Sequence, residues 1–220
     1  MTRYRFLSKI LFFLAGAWFL LPAVRANPTG ATVTYRRVFK GSTPEFIEVK
    51  ISDQGKCTYD IRQLDEDTDP EPLEVGPAVQ KRIFDLAGEL KHFAIGNIDI
   101  QKKIANLGQK TFRYENGAEV HETSFNYTLN PSASQLMEIF EGLARQQEDL
   151  DLLQRQAKYD RLGVNDALMR FESDMDHRLL PEPERLLPVL DQIAGDSHFL
   201  EIARTRARAL AERIRNSRDH

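Results

Sequence analysis

The dipeptide Asn116-Gly117 stands between two runs in which apolar and polar residues alternate, TFRYE before it and AEVHETSFNYT after it. Asn-Gly supplies the positive φ angles that a two-residue hairpin turn demands, so Thr111 to Thr128 is predicted to form two antiparallel strands. Pairing outward from a turn at Asn116-Gly117 sets Tyr114 opposite Glu119 and Phe112 opposite His121. Phe112, Tyr114, His121, Phe125 and Tyr127 then share one face. Arg113, Glu115, Val120, Glu122, Ser124 and Asn126 share the other, which is nearly all polar. Such a division suits an antiparallel sheet covered on one side only. A lone hairpin is marginal in water, so other strands must extend it.

Those strands are legible upstream. Ala31 to Lys40 is rich in β-branched and aromatic residues, and Gly41-Ser42-Thr43-Pro44 ends it. Glu45 to Ser52 alternates, with Ile47, Val49 and Ile51 against Glu48 and Lys50. Asp53-Gln54-Gly55-Lys56 is a turn, and Cys57 to Gln63 alternates again with Cys57, Tyr59 and Ile61 on one face. Cys57 reads as a small buried hydrophobe. As the single cysteine it leaves no intramolecular disulfide, so the core alone must stabilise the fold. Leu64 to Val75 is predicted to be a solvated acidic loop. Asp65, Asp67 and Asp69 have the opening spacing of a calcium loop, but Pro70 stands where that loop needs Gly and Gly76 where it needs Glu.

Pro77 opens a predicted helix whose apolar face is Val79, Ile83, Leu86, Ala87 and Leu90. Phe93 to Gly108, with Ile95, Ile98 and Ile100, is either an edge strand or irregular. Asn130-Pro131-Ser132 begins the next helix, with Ser132 and Gln135 as a capping box. Leu136, Ile139, Phe140, Leu143, Leu150, Leu153 and Ala157 carry its stripe, and one helix over 133–162 is compatible with them. Gly142 is its weak point, and Gly163 fits the position just past its end. Helices follow over roughly 165–178, 183–194 and 197–215, the last starting at Asp196-Ser197. Its core stripe is Leu200, Ala203, Ala207, Leu210 and Ile214. Arg204, Arg208, Arg215 and Arg218 share another face, with Arg206 and Arg213 between. That face is either solvated or a surface for an anionic partner.

The pattern predicts an α+β fold: an antiparallel sheet of about four to six strands packed by one or two helices, followed by an α-helical C-terminal region. The predicted divisions are a signal peptide over 1–26, an α+β domain over 27–148 and a helical extension over 149–220. The signal rests on Arg3, Arg5 and Lys9 ahead of the apolar run Ile10 to Leu21, with Val24 and Ala26 as the small residues before a cut after Ala26. The run is shorter than the ~20 residues an anchor needs, so no stable membrane anchor is expected after cleavage. Cleavage removes four of the 30 basic residues and none of the 33 acids, leaving 26 against 33, a net charge of −7. Such a chain is not expected to bind nucleic acid.

Motifs for phosphate loops, nucleophile elbows and zinc pairs are missing from the sequence. The histidines are His92, His121, His177, His198 and His220. His121 and Glu122 point to opposite faces of a strand. Asp196-Ser197-His198 holds triad residue types that cannot converge at a helix start. Asp174 and His177 are three apart on a helix and lack a third ligand. No catalytic, cofactor-binding or metal residue is therefore assigned.

Gly41-Ser42-Thr43-Pro44-Glu45-Phe46, followed by Ile51, Gly55 and Tyr59, resembles an uncharacterised family of small exported bacterial domains. There a Gly-x-Cys-Pro-x-Tyr start leads into a hairpin, a helix and more strands. Thr43 stands here in place of the cysteine and Phe46 in place of the tyrosine. The resemblance covers about residues 31–145 and implies an α+β fold without a known activity. Pro183 to Arg215 is similar to a HEAT-type helix pair, a class that usually binds proteins. Together these readings lead to an exported, periplasmic or extracellular, non-catalytic binding module of the bacterial cell envelope, with another envelope protein as partner. The alternatives are an envelope hydrolase or metal-dependent enzyme with a dispersed site, and a structural accessory subunit.

Overall fold

The computed structural model describes residues 30–218, so the signal-peptide reading lies outside the described residues. The fold is α+β. Six antiparallel strands, β1 (Thr32–Val38), β2 (Phe46–Ser52), β3 (Cys57–Arg62), β4 (Glu71–Leu73), β5 (Gln109–Asn116) and β6 (Glu119–Phe125), lie in the order β4-β3-β2-β1-β5-β6. The helices are α1 (Pro77–Glu89), α2 (Pro131–Tyr159), α3 (Val164–Asp176), α4 (Leu187–Gly195) and α5 (Glu201–Arg218).

Strand alternation decides which sheet face is dry. Val33 and Tyr35 of β1, Ile47, Val49 and Ile51 of β2, Cys57 and Tyr59 of β3, and Phe112, Tyr114 and Phe125 of the hairpin are all buried. They pack against Ile83, Leu86 and Ala87 of α1 and Leu136, Phe140 and Leu143 of α2 in one core. Aromatic rings line this core: Tyr35 stacks on Phe140 at 5.4 Å, Phe112 stacks on Phe93 at 5.3 Å, and Phe112 meets Phe125 at a tilt, 5.2 Å away. A second core joins Leu153 and Ala157 of α2 to Phe171, Leu190, Ala203, Ala207, Leu210 and Ile214. The opposite sheet face carries Arg36, Glu48, Lys50, Arg113, Glu115 and Glu122 around a shallow depression.

Several sequence expectations are corrected. The hairpin faces are as expected, but its register is shifted by two residues: Tyr114 pairs with His121, Phe112 with Thr123, and Asn116 with Glu119. The turn is Gly117-Ala118, because Gly117 takes φ +59° at its first position. Tyr127 falls beyond β6 and is exposed. The acidic segment 64–75 is not all loop, since Leu73 is buried opposite Cys57 and draws Glu71–Leu73 into an edge strand. Asn130, not Ser132, caps α2, accepting from the Ala133 N–H at 3.1 Å. Gly163 does not adopt the left-handed form that ends a helix; at φ −76° it precedes α3. The predicted helix over 183–194 begins with a tight turn at Pro183–Leu186 before α4, and α5 starts at Glu201 rather than Ser197. Phe199, not Leu200, fills the core there, and Leu200 is 48% exposed.

Helix α2 runs unbroken for 29 residues and enters both cores. Gly142 is a point of close approach within it. A Cβ there would lie 2.6 Å from the Leu179 carbonyl oxygen and 3.0 Å from Pro181 Cδ. The chain after α3 is thereby drawn against α2, and Glu182, just beyond, reaches the sheet layer. Both Glu182 carboxylate oxygens accept from the Gly76 N–H at the start of α1, at 2.8 and 3.0 Å. Gly76 has no side chain to cap α1, so a carboxylate 106 residues away satisfies its helix N-terminus. Arg185 Nε donates to the same carboxylate at 3.1 Å, and the Glu182 N–H donates to Gln146 Oε1 at 2.8 Å.

Candidate functional site

A cleft of about 470 Å³ lies where β1, the β1–β2 connection, α2 and α3 meet. Arg37 projects from the dry face of β1, two residues beyond Tyr35, at the margin of the core. Glu141, Arg145 and Glu148 line the cleft from α2, Arg170, Ser173 and Asp174 from α3, and Thr43-Pro44, joined by a cis peptide bond, from the connection.

Charges of both signs interlock there. Arg37 Nη1 donates to Glu141 Oε2 at 3.0 Å, and the Tyr35 hydroxyl donates to the other Glu141 oxygen. Burial, reinforced by the Glu141 charge, pushes the Tyr35 hydroxyl far above the ordinary tyrosine range. Arg170 Nε lies 2.9 Å from Asp149 Oδ1 and its Nη2 lies 3.5 Å from Glu148 Oε2. Arg145 Nη1 meets Asp174 Oδ1 at 3.4 Å. Burial raises the Glu148 carboxyl, opposed by Arg170, Arg145 and Arg37.

Asp149 and Asp174 form the innermost part of this network. Asp149 is 1% exposed and Asp174 7%. Arg170 Nε approaches Asp149 Oδ1 outside hydrogen-bond geometry, and among the described residues Asp149 Oδ2 and Asp174 Oδ2 have no donor. Two ionised carboxylates offer only acceptors, so a proton between them supplies the missing donor. Burial accordingly pushes Asp149 up to about 7, with Arg170 opposing and Asp174 and Glu148 adding to the rise. Four carboxyl groups, Glu141, Glu148, Asp149 and Asp174, face the three guanidiniums of Arg37, Arg145 and Arg170, and the raised Asp149 lessens the excess of negative charge. The cleft is thus close to neutral. It still offers N–H groups of Arg145 and Arg170, whose side chains are nearly half exposed.

The residues singled out in the sequence fall elsewhere, apart from Asp174. His121 is not a core histidine: its side chain is 37% exposed on the outermost strand, 3.2 Å from Glu119 Oε1. His92 stacks on Tyr114 at 4.2 Å, carried by a turn in which Lys91, His92 and Phe93 all have positive φ. Its Nδ1 is 4.0 Å from the same Glu119 oxygen. His177 bonds the Ser173 carbonyl and does not meet Asp174. The His198 ring lies 2.6 Å from Asp196 Oδ1. Cys57 is buried, and burial pushes its thiol up. In the acidic segment, Arg62 donates to the Gln63 and Glu66 carbonyls and to Thr68. Among the described residues no group of three or more His, Cys, Asp and Glu side chains is arranged to hold a metal ion. On α5, Arg204, Arg206, Arg213 and Arg215 pair with Glu201, Glu172, Asp176 and Asp191 of their own chain.

The cleft was missed because its residues lie on four elements far apart in the chain. A signal for it existed. Arg37 follows Val33 and Tyr35 in the dry-face alternation, Asp149 interrupts the apolar stripe of α2, and Asp174 follows Ala167 and Phe171 on the buried side of α3. Polar residues at apolar positions mark the place where these elements meet.

No family model matches the chain, and comparison with curated proteins finds no match.

Proposed function

We propose that the chain is exported, cleaved after Ala26, and acts as a non-catalytic binding module of the bacterial cell envelope whose ligand is a segment of another envelope protein. The supporting observation is the cleft, where guanidinium donors of Arg145 and Arg170 stand exposed in a nearly neutral setting. A site balanced in this way favours a ligand that brings both signs of charge, as a polypeptide does, over a polyanion. The guanidinium N–H groups of Arg145 and Arg170 that Asp174, Asp149 and Glu148 leave free can donate to a carboxylate of the ligand.

Titration calorimetry with short peptides of mixed charge, each with a free or an amidated C-terminus, tests the reading. Arg145→Gln keeps the fold, since this side chain is half exposed, and is expected to weaken binding about tenfold, the equivalent of one charge-assisted hydrogen bond. Equal affinities for wild type and Arg145→Gln would exclude the cleft as the ligand seat. A second reading, an acid–base hydrolase, is favoured by the carboxyl pair because Asp174 lines the cleft. Turnover of peptide or ester substrates that disappears in Asp174→Asn would replace the first reading with the second.

A further inference from the structure

Among the described residues strand β6 is the last in the sheet and pairs only with β5. The two-residue turn makes Asn116 and Glu119 the first hydrogen-bonded pair. Glu119, His121, Thr123 and Phe125 therefore direct their backbone N–H and C=O groups toward β5. Val120, Glu122 and Ser124 direct theirs outward, and no hydrogen bond of the described residues reaches those groups. All three residues are exposed. The edge also borders an open trough of about 680 Å³ whose far wall is Phe93, Ala94, Gly96 and Asn97.

The trough is a fixed feature. Thr123 Oγ1 donates to the Gly96 carbonyl at 3.1 Å. Beyond the strand, Asp99 Oδ1 accepts from the Asn126 and Tyr127 N–H groups, and the Ile100 N–H donates to the Tyr127 carbonyl at 2.8 Å. The free edge therefore runs from Val120 to Ser124, about 17 Å of extended chain. The two margins of the sheet differ. β4 is three residues long and has Pro72 at its centre, the usual protection of an edge. β6 has seven residues without proline, lysine or a break in register.

We propose that the outer edge of β6 is a strand-addition site that takes an extended, basic segment of a partner protein as a seventh strand. The main-chain groups of Val120, Glu122 and Ser124 supply the ladder. Charge selects the occupant. Glu119 and Glu122 flank the edge: a second copy of β6 offers them no lysine or arginine, and in the pairing centred on Glu122 it sets two carboxylates opposite each other. A guest with lysine or arginine opposite Glu122 and a small apolar residue opposite the exposed Val120 meets both. Arg113 reaches Glu122 only at 3.4 Å, which leaves that carboxylate able to accept from the guest.

The probe is a synthetic nine-residue peptide with lysine and valine in turn at every second position and threonine between them, titrated into the full chain and followed by backbone amide resonances. Binding is expected to slow hydrogen exchange at Val120, Glu122 and Ser124. Methylating alternate peptide nitrogens, which removes ladder donors and leaves the side chains, should weaken binding at least about tenfold. Glu122→Lys, at an exposed position, should transfer the preference to the corresponding glutamate peptide. Methylation without effect, or a preference unchanged in Glu122→Lys, would overturn strand addition by a basic guest. So would protection of the three amides without peptide in a chain that sediments as a dimer, because the occupant would then be a second copy.

Discussion

Replacing Glu182 by alanine removes the carboxylate that caps α1 from the other end of the chain. The effect has separable parts. Loss of a capping acceptor at a helix N-terminus costs about 0.5–2 kcal/mol. Loss of a negative charge beside the α1 dipole adds about 0.3–1 kcal/mol, and more where the site is buried, as here with Glu182 6% exposed. Arg185, a quarter exposed, keeps Glu74 as a partner after the change, so the ion pair contributes at most about 1 kcal/mol. The expected destabilisation is about 1–4 kcal/mol. For a chain of this size that corresponds to a melting temperature lower by about 2–16 °C. Glu182→Gln retains an oxygen for the Gly76 N–H and loses the charge, so it should fall near the middle of the interval. The assay is reversible thermal or urea unfolding of wild type, Glu182→Ala, Glu182→Gln and Arg185→Ala under one condition. A Glu182→Ala midpoint within about 0.5 kcal/mol of wild type would refute the cap. Equal losses for alanine and glutamine would confine the effect to charge.

Gly142→Ala should destabilise by about 1–2 kcal/mol in urea unfolding. Overpacking against the Leu179 carbonyl exceeds the roughly 1 kcal/mol alanine gains in a helix, and a stabilised variant would show that this contact yields easily. In Asp149→Asn the difference from wild type should depend on pH. The raised Asp149 makes the folded chain hold a proton that the unfolded chain releases, so its contribution to stability declines as pH climbs from about 4 to about 7 and is constant above. The asparagine variant should therefore gain on wild type across that interval in unfolding curves, and a constant difference would contradict the shared proton. Ile83→Asp places a carboxylate at a position with no exposure and should leave the chain unfolded by circular dichroism. A soluble variant melting cooperatively at the wild-type midpoint would show that the α1 face is not core.

β-Branched and aromatic composition identified β1, period-two alternation identified β2, β3 and the hairpin, and the 3.6-residue stripe identified α1 and α2, because burial on one face leaves its mark on every residue of a long element. What escaped is short or non-local. β4 has three residues, too few to display a period, and one of them is proline. The hairpin register turned on which residue took the first turn position, and Asn116 was extended while Gly117 was not. The cleft draws on elements far apart in the chain, and the cap on α1 follows the close approach of Leu179 and Pro181 to Gly142. Propensity marks that glycine as a defect; packing makes it a contact.

Because one unbroken α2 serves both cores, its length sets a phase as well as a distance. Each residue inserted between Phe140 and Leu153 would rotate everything downstream by about 100° about the helix axis and advance it by about 1.5 Å. The smallest step that nearly restores the angle is about seven residues, and it carries the second core about 10 Å away from Gly76 and Arg37. Natural variation in chain length should therefore gather in the connections, such as the acidic segment before β4, while the span from Leu136 to Ala157 keeps its residue count.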